Sequence, residues 1–261
     1  MIFRQLFDPE TSSYTYLLGD ELTREAVLID SVSGQLERDL SLVRELDLRL
    51  VHALETHVHA DHVTAAGRLR EALGARVAVS ERSGVRNADR LLADGDWIVF
   101  GAHRLEARAT PGHTAGCMTF VGDGMAFTGD ALLIRGCGRT DFQEGDAKTL
   151  YRSVRTRILS LPEATRLFPA HDYRGRTETT VGEELRFNPR LATGKSEASF
   201  VELMRGLTLA DPKRMDEAVP ANLYAGLGPD APPSPHGPGS VAGVMEDLGR
   251  QDAEHWQGAG I

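Results

Sequence analysis

Four side chains that can bind a metal lie within six positions of the chain, in the segment Thr56-His57-Val58-His59-Ala60-Asp61-His62. Imidazole nitrogens and carboxylate oxygens are donors that zinc, iron and manganese commonly take from proteins. In an extended segment, residues two apart face the same side, so His57 and His59 can reach one point. The segment therefore predicts a metal site where a strand gives way to a helix.

Further candidate ligands occur at three later points of the chain. His113 lies in the motif T-P-G-H-T, Asp130 in G-D-A-L and His171 in P-A-H-D-Y. Each comes close to the end of a predicted strand, and ligands in α/β folds gather beyond one end of the strands. The candidate ligands are therefore His57, His59, Asp61, His62, His113, Asp130 and His171. Their spacing alone allows one metal, or a pair about 3.5–4 Å apart.

Composition limits the class of protein and of partner. The chain has 261 residues, of which 41% are hydrophobic and 26% charged, as in an ordinary globular protein that buries its own core. A formal net charge of −9 without a basic block argues against nucleic acid or an anionic membrane as the partner. Cys117 and Cys137 provide no disulfide framework and favour a reducing compartment. Neither a signal peptide nor a membrane span is apparent, so we expect a cytoplasmic protein.

The hydrophobic pattern predicts strands and helices that follow one another along the chain. Strands are predicted at 1–8, 14–18, 26–30, 48–54, 76–79, 97–100, 104–109, 118–121, 125–128 and 166–168. Helices are predicted at 35–46, 63–73, 148–159, 178–186 and 197–205. Five prolines between 228 and 239 predict a boundary, so we expect a catalytic domain at 1–227 and a flexible extension at 228–261. Within that extension, 241–248 is compatible with a short helix.

The four ligand motifs, in this order and spacing, resemble the metallo-β-lactamase superfamily over roughly residues 1–190. The resemblance implies an α/β protein with an αββα sandwich, in which two mixed β-sheets are flanked by helices. It also implies that the metal site lies at one edge of the two sheets. The superfamily supports many reactions, so the fold alone does not determine the chemistry.

Further segments narrow the resemblance to the persulfide dioxygenase family, and they extend it to about residue 227. They are the stretch from Ala131 to Gln143, His171-Asp172-Tyr173, Asn188-Pro189-Arg190 and Val219-Pro220-Ala221-Asn222. The resemblance implies that the outer sulfur of glutathione persulfide is oxidised with O2 to sulfite and glutathione, a step in hydrogen sulfide catabolism. It also implies a homodimer. A sulfurtransferase or a rhodanese-like domain is a candidate partner for the tail.

The resemblance implies a cofactor and roles for the ligands. One iron(II) per chain would be bound by His57, His113 and Asp130, a two-histidine, one-carboxylate set that leaves positions open. The other candidate ligands would form a vestigial second site that holds water and hydrogen bonds, namely His59, Asp61, His62 and His171. Candidate contacts to the substrate are Tyr173, Arg139, Arg190 and Cys137. Arg139 is equally a candidate for a structural pair with Asp141, and Cys137 for a small buried side chain.

Two other functions stay open at this point. A glyoxalase II-type glutathione thioester hydrolase would use the same seven ligands with two metals. That family carries a longer helical C-terminal region with basic residues, which is not found here. A non-catalytic sulfide or redox sensor would bind a metal tightly, turn over negligibly and require a protein partner. Metal content and oxygen uptake of one preparation distinguish these functions.

Overall fold

Two six-stranded sheets form the centre of the computed structural model, which describes residues 1–210 and 214–237. Helices cover the outer face of each sheet, so the predicted αββα sandwich is confirmed. The possible helix at 241–248 lies outside the described residues. None of the helices within the described ranges has the length and the hydropathy that crossing a membrane requires.

The first sheet has its strands in chain order. They are β1 (Ile2–Asp8), β2 (Ser13–Gly19), β3 (Glu25–Ile29), β4 (Arg49–Leu54), β5 (Arg76–Ser80) and β6 (Arg90–Leu92). The first three strands pair in antiparallel fashion, whereas β3 to β6 run parallel. Because β3 and β4 are parallel neighbours, the residues that follow them, Asp30 and Glu55, emerge at the same edge of the sheet.

The second sheet has the strand order β12-β11-β10-β9-β8-β7. Its members are β7 (Trp97–Phe100), β8 (His103–Ala109), β9 (Met118–Gly122), β10 (Met125–Gly129), β11 (Arg166–Pro169) and β12 (Thr179–Thr180). Only β10 and β11 pair in parallel among the described strands of this sheet. Asp130 and His171 follow these two strands and therefore leave the sheet at one edge.

Six α-helices are described: α1 (Leu36–Glu45), α2 (Ala66–Leu73), α3 (Ala147–Ser153), α4 (Val181–Phe187), α5 (Glu197–Arg205) and α6 (Met215–Asn222). A π-helix, Val154–Ile158, continues α3. All ten predicted strands are found within one residue at each end, whereas β6, β12 and α6 were not predicted. The helix expected at 63–73 begins later because Thr64 bonds to other segments, and the one expected at 178–186 begins after β12.

Successive side chains along each strand point to opposite faces of the sheet, which explains the layers of the sandwich. In β3, Val27 and Ile29 belong to the core between the two sheets. Ala26 and Leu28 alternate with them and belong to the cluster that includes side chains of α1 and α2. In the second sheet, Phe127 faces the first sheet, and its neighbour Ala126 faces the cluster formed by α3 and α5.

The described part of the proline-rich tail contacts the body of the protein. The hydroxyl of Ser234 donates a hydrogen bond to the carboxylate of Asp89, next to β6. Before the tail, the carbonyl of Leu223, just after α6, accepts a hydrogen bond from the backbone N–H of Arg86. The domain boundary at 227 and the flexibility of the extension stay predictions.

Asn222, at the end of α6, fixes the backbone of the histidine-rich loop. Its Nδ2 donates to the carbonyl oxygens of His59 and His62, at 2.8 Å each, and its Oδ1 accepts from the N–H of Thr64 at 2.9 Å. The side chain is only 4% exposed, so water offers these backbone groups little alternative. A segment far along the chain therefore holds the loop that carries four of the candidate ligands.

We expect Asn222→Ala to lower the free energy of unfolding by about 2–4 kcal/mol, because three buried backbone groups lose their partner. Urea denaturation of the metal-free protein, followed by circular dichroism, measures this change. Asp216→Ala, at an exposed position of the same helix, is the control and should change stability by less than about 0.5 kcal/mol. Equal stability of the two variants would contradict this role of Asn222.

Candidate metal centre

Loops from both sheets meet at one edge and carry the candidate ligands. The loop after β4 carries four of them, and the loops after β8, β10 and β11 carry His113, Asp130 and His171. Gly112 and Gly129, each one residue before a ligand, have φ of +131° and +52°. A Cβ on Gly112 would lie 2.2 Å from the backbone nitrogen of Leu150. These loops therefore need glycine to bring the ligands together.

The first cluster contains His57, His113 and Asp130. One ligand atom from each lies within 4.8 Å of those of the other two. The Nε2 of His113 is 3.7 Å from an oxygen of Asp130, and the rings of His57 and His113 are 5.0 Å apart, centroid to centroid. His57 is buried, whereas the other two are partly exposed, so solvent reaches the cluster at His113 and Asp130.

Hydrogen bonds determine which nitrogen each imidazole presents. The Nδ1 of His113 lies 2.7 Å from the carbonyl oxygen of Arg139, which can only accept, so Nδ1 carries the proton. The hydroxyl of Thr56 donates to Asp30 at 2.8 Å, and its oxygen therefore accepts from the Nδ1 of His57 at 3.0 Å. In the neutral form of each ring, Nε2 is therefore the nitrogen without a proton, which is the nitrogen that can bind a metal.

The second cluster contains His59, Asp61 and His62, again within 4.8 Å of one another, with His171 beside it. An oxygen of Asp61 lies 3.0 Å from the Nδ1 of His62 and 3.6 Å from the Nε2 of His171. Burial would raise the pKa of Asp61, but the hydrogen bond to His62 and the neighbouring His171 hold it well below its usual value. Asp61 is therefore a carboxylate at neutral pH.

His59 also belongs to a third cluster, with Asp30 and Glu55, which the sequence did not predict. Its Nε2 lies 3.3 Å from an oxygen of Asp30 and 3.3 Å from an oxygen of Glu55. Burial would lower the pKa of His59, but the carboxylates of Asp30 and Glu55 raise it well above its usual value. The usable signal in the sequence was that both acids directly follow apolar strands, where a carboxylate needs a buried partner.

Buried polar atoms that lack a hydrogen-bond partner indicate whether these residues fit a metal ion. Most buried polar atoms in proteins have a hydrogen-bond partner. Among the described residues, the Oδ1 of Asp130 and the Nε2 of His62 have none, and the Nε2 of His59 has only the two carboxyl groups 3.3 Å away. Nitrogen and oxygen atoms that converge without partners are what a transition-metal site requires. The donor set therefore fits a metal ion.

Tyr173 is the candidate substrate contact with the most accessible surface. It is 73% exposed, and its ring stacks on His171 with centroids 5.8 Å apart and planes at 4°. The ring therefore lies at the rim of the site, and its contact with a substrate stays a prediction.

Arg139 forms the structural pair that the sequence suggested. Its guanidinium binds both carboxylate oxygens of Asp141, at 2.7 and 2.8 Å, and also donates to the carbonyl of Ala210. Because the carbonyl of Arg139 orients His113, this bidentate pair also stabilises a ligand of the first cluster. A direct contact of Arg139 with a substrate stays a prediction.

Cys137 and Arg190 lie against each other behind the first cluster. Arg190 donates to the carbonyl of Cys137 at 3.1 Å and lies 3.5 Å from its sulfur. Cys137 is 5% exposed within an apolar cluster, and burial raises the pKa of its thiol. This is the small buried side chain that the sequence offered as the alternative to a substrate contact. For both residues, contact with a substrate stays a prediction.

Comparison with known proteins agrees with this geometry. A profile of the metallo-beta-lactamase superfamily matches residues 8–96 and 98–171, which include all seven candidate ligands. The mitochondrial persulfide dioxygenase ETHE1 of Bos taurus is 53% identical over 237 residues, covering 90% of this chain and 91% of the relative. A more distant relative, the hydroxyacylglutathione hydrolase GloC of Haemophilus influenzae, is 35% identical over 191 residues, 64% of this chain and 88% of the hydrolase.

A solved structure extends the similarity to the fold. The crystal structure of ETHE1 from Myxococcus xanthus superposes with a TM-score of 0.85 and 52% identity, and it covers 87% of this chain and 100% of that chain. The chain therefore belongs to the metallo-β-lactamase superfamily and, within it, to the persulfide dioxygenase family.

Proposed function

We propose that this protein is an iron-dependent persulfide dioxygenase that converts glutathione persulfide to glutathione and sulfite. The observation that carries the proposal is the 53% identity to a persulfide dioxygenase over 90% of the chain. In the balanced reaction, the outer sulfur is oxidised by O2, and water supplies the remaining oxygen of sulfite. The protons released in this step pass to solvent.

One iron(II) per chain would be held by the Nε2 atoms of His57 and His113 and by the carboxylate of Asp130. Two imidazoles and a carboxylate are the ligand set of non-haem iron oxygenases and leave positions open for substrates. When bound, the ferrous ion supplies the one-electron chemistry with O2 that zinc lacks. The remaining ligand candidates, His59, Asp61, His62 and His171, surround this centre without a second ion.

The chain itself orients the ligands and the substrate. Asp30 acts through Thr56 on His57, and the carbonyl of Arg139 acts on His113, so both imidazoles keep the tautomer that presents Nε2. His57 closes the buried side of the cluster, so the persulfide enters from the side of His113 and Asp130. There, the hydroxyl of Tyr173 donates a hydrogen bond to a carboxylate of glutathione.

The rival functions have less support. The thioester hydrolase relative is less similar and spans less of the chain than the dioxygenase relative. No observation favours a sensor without turnover. A cytoplasmic location, a homodimer and a sulfurtransferase or rhodanese-like partner stay predictions, and the Bos taurus relative is named as mitochondrial.

Metal content and oxygen uptake of one preparation test the proposal. Protein purified without added metal should contain about one iron per chain and consume O2 with glutathione persulfide while sulfite accumulates. Chelation should abolish the uptake, and iron(II) but not zinc should restore it. Two zinc ions per chain, with no oxygen uptake after loading with iron(II), would contradict the proposal.

His113→Gln should reduce oxygen uptake by more than about 100-fold, since losing a ligand costs more than losing a residue that orients one. Iron content of the purified variant, measured beside the rate, should fall with it. His103→Gln is the control, because His103 contacts Asp123 and Asp20 and lies outside the three clusters. Similar activity of both variants would remove His113 from the proposed ligands.

Tyr173→Phe keeps the ring on His171 and removes only the hydroxyl. We expect KM for glutathione persulfide to rise about two- to tenfold with kcat nearly unchanged, which is the loss of one hydrogen bond. Tyr151→Phe is the control, because that hydroxyl bonds to the carbonyl of Lys195 away from the site. An unchanged KM for Tyr173→Phe would exclude the proposed substrate contact.

A further inference from the structure

A buried cluster of two carboxylates and one imidazole lies behind the proposed iron site. Asp30, Glu55 and His59 are 2%, 6% and 1% exposed, and one ligand atom of each lies within 4.8 Å of the other two. The Nε2 of His59 is 3.3 Å from both carboxylates. The space beside the ring is about 10 Å³, which holds at most about one water. The three groups therefore interact without bulk water between them.

Both carboxylates are fixed in place. The oxygens of Asp30 accept from the backbone N–H and the hydroxyl of Thr56, at 2.7 and 2.8 Å. One oxygen of Glu55 accepts from the hydroxyl of Thr64 at 2.7 Å, which leaves the other oxygen facing His59. If His59 turned away, the buried oxygens of Asp30 and Glu55 that face it would lose the nearest imidazole nitrogen, and a buried polar oxygen without a partner is unfavourable.

Distance alone does not keep His59 from the iron ligands. Its ring lies 4.1 Å from the ring of His57, centroid to centroid, and 4.3 Å from that of His62. Nevertheless, His59 is not a member of the cluster formed by His57, His113 and Asp130. His59 differs from His57 in one respect. Its Nε2 faces the carboxyl groups of Asp30 and Glu55 instead of the first cluster.

We propose that Glu55, together with Asp30, is a positioning residue that holds His59 away from the metal and thereby keeps the centre at three protein ligands. The inference rests on the proposed single-ion site. A fourth protein ligand would fill a position that the substrates need and would favour tetrahedral zinc over iron. Glu55 therefore favours iron over zinc and keeps a coordination position free for the substrates, although it does not contact the ion.

Glu55→Leu tests this inference, because an apolar side chain of similar volume removes both oxygens and is often tolerated in place of a buried charge. With His59 released, affinity for zinc(II) should rise about ten- to hundredfold. The visible absorption of the cobalt(II)-loaded protein should also intensify, as it does when coordination falls towards four. Neither measurement depends on turnover. Glu81→Leu, at an exposed position just after β5, is the matched control and should leave both unchanged.

Two histidine variants show whether His59 causes the change. In the double variant Glu55→Leu/His59→Ala, the cobalt spectrum and zinc affinity should return to those of the parent. His59→Gln alone, whose amide can still donate to the carboxylates, should leave the parent spectrum unchanged. If Glu55→Leu does not fold, Glu55→Gln takes its place: it keeps an oxygen for the hydroxyl of Thr64, removes the carboxylate that faces His59, and should change the cobalt spectrum in the same direction.

An unchanged cobalt spectrum in folded Glu55→Leu, or a changed one that persists without His59, would overturn the inference. A changed spectrum in His59→Gln alone would also overturn it, because His59 would then already be a ligand. Two ions per parent chain would instead contradict the proposed function, and the comparison of the Glu55 variants would still decide the role of Glu55.

Discussion

The buried carboxylate of Asp30 is the constraint on which the rest of the site depends. It follows β3 with φ of +55°, which is uncommon for a residue other than glycine. There, its two oxygens meet the backbone and the hydroxyl of Thr56, and its Oδ1 also lies near His59. One acid thus fixes the start of the histidine-rich loop, the tautomer of one ligand and the direction of another imidazole. A buried carboxyl group needs partners for both of its oxygens, so these contacts depend on one another.

The ligand set is assembled from both sheets because each contributes parallel strands whose ends open on the same edge. The loop after β4 comes from the first sheet, and Asp130 and His171 come from β10 and β11 of the second. Hydrogen bonds between distant segments then hold the loops, as Asn222 does at the backbone of His59 and His62. The protein thereby surrounds the candidate metal site with side chains whose directions are set by hydrogen bonds.

Much of the fold and the positions of the candidate ligands could be predicted from sequence, because strand alternation and short histidine motifs are local signals. The predictions failed where partners lie far apart in the chain. Asp30 bonds to a residue 26 positions away, and Asn222 to one 163 positions away, and no local pattern encodes either contact. The same reason explains the late start of α2, since Thr64 is used by Asn222. The side-chain surroundings of Cys137 and Arg190 likewise depend on packing against Met204.

The central claim is that one ion binds between His57, His113 and Asp130 while His59 stays with its carboxylates. Anomalous diffraction at the iron edge, from crystals grown without oxygen in the presence of iron(II), tests it most directly. The account predicts a single peak bounded by two Nε2 atoms and one carboxylate oxygen, with the ring of His59 between Asp30 and Glu55. Two peaks of full occupancy, or an ion bonded to His59, would contradict it.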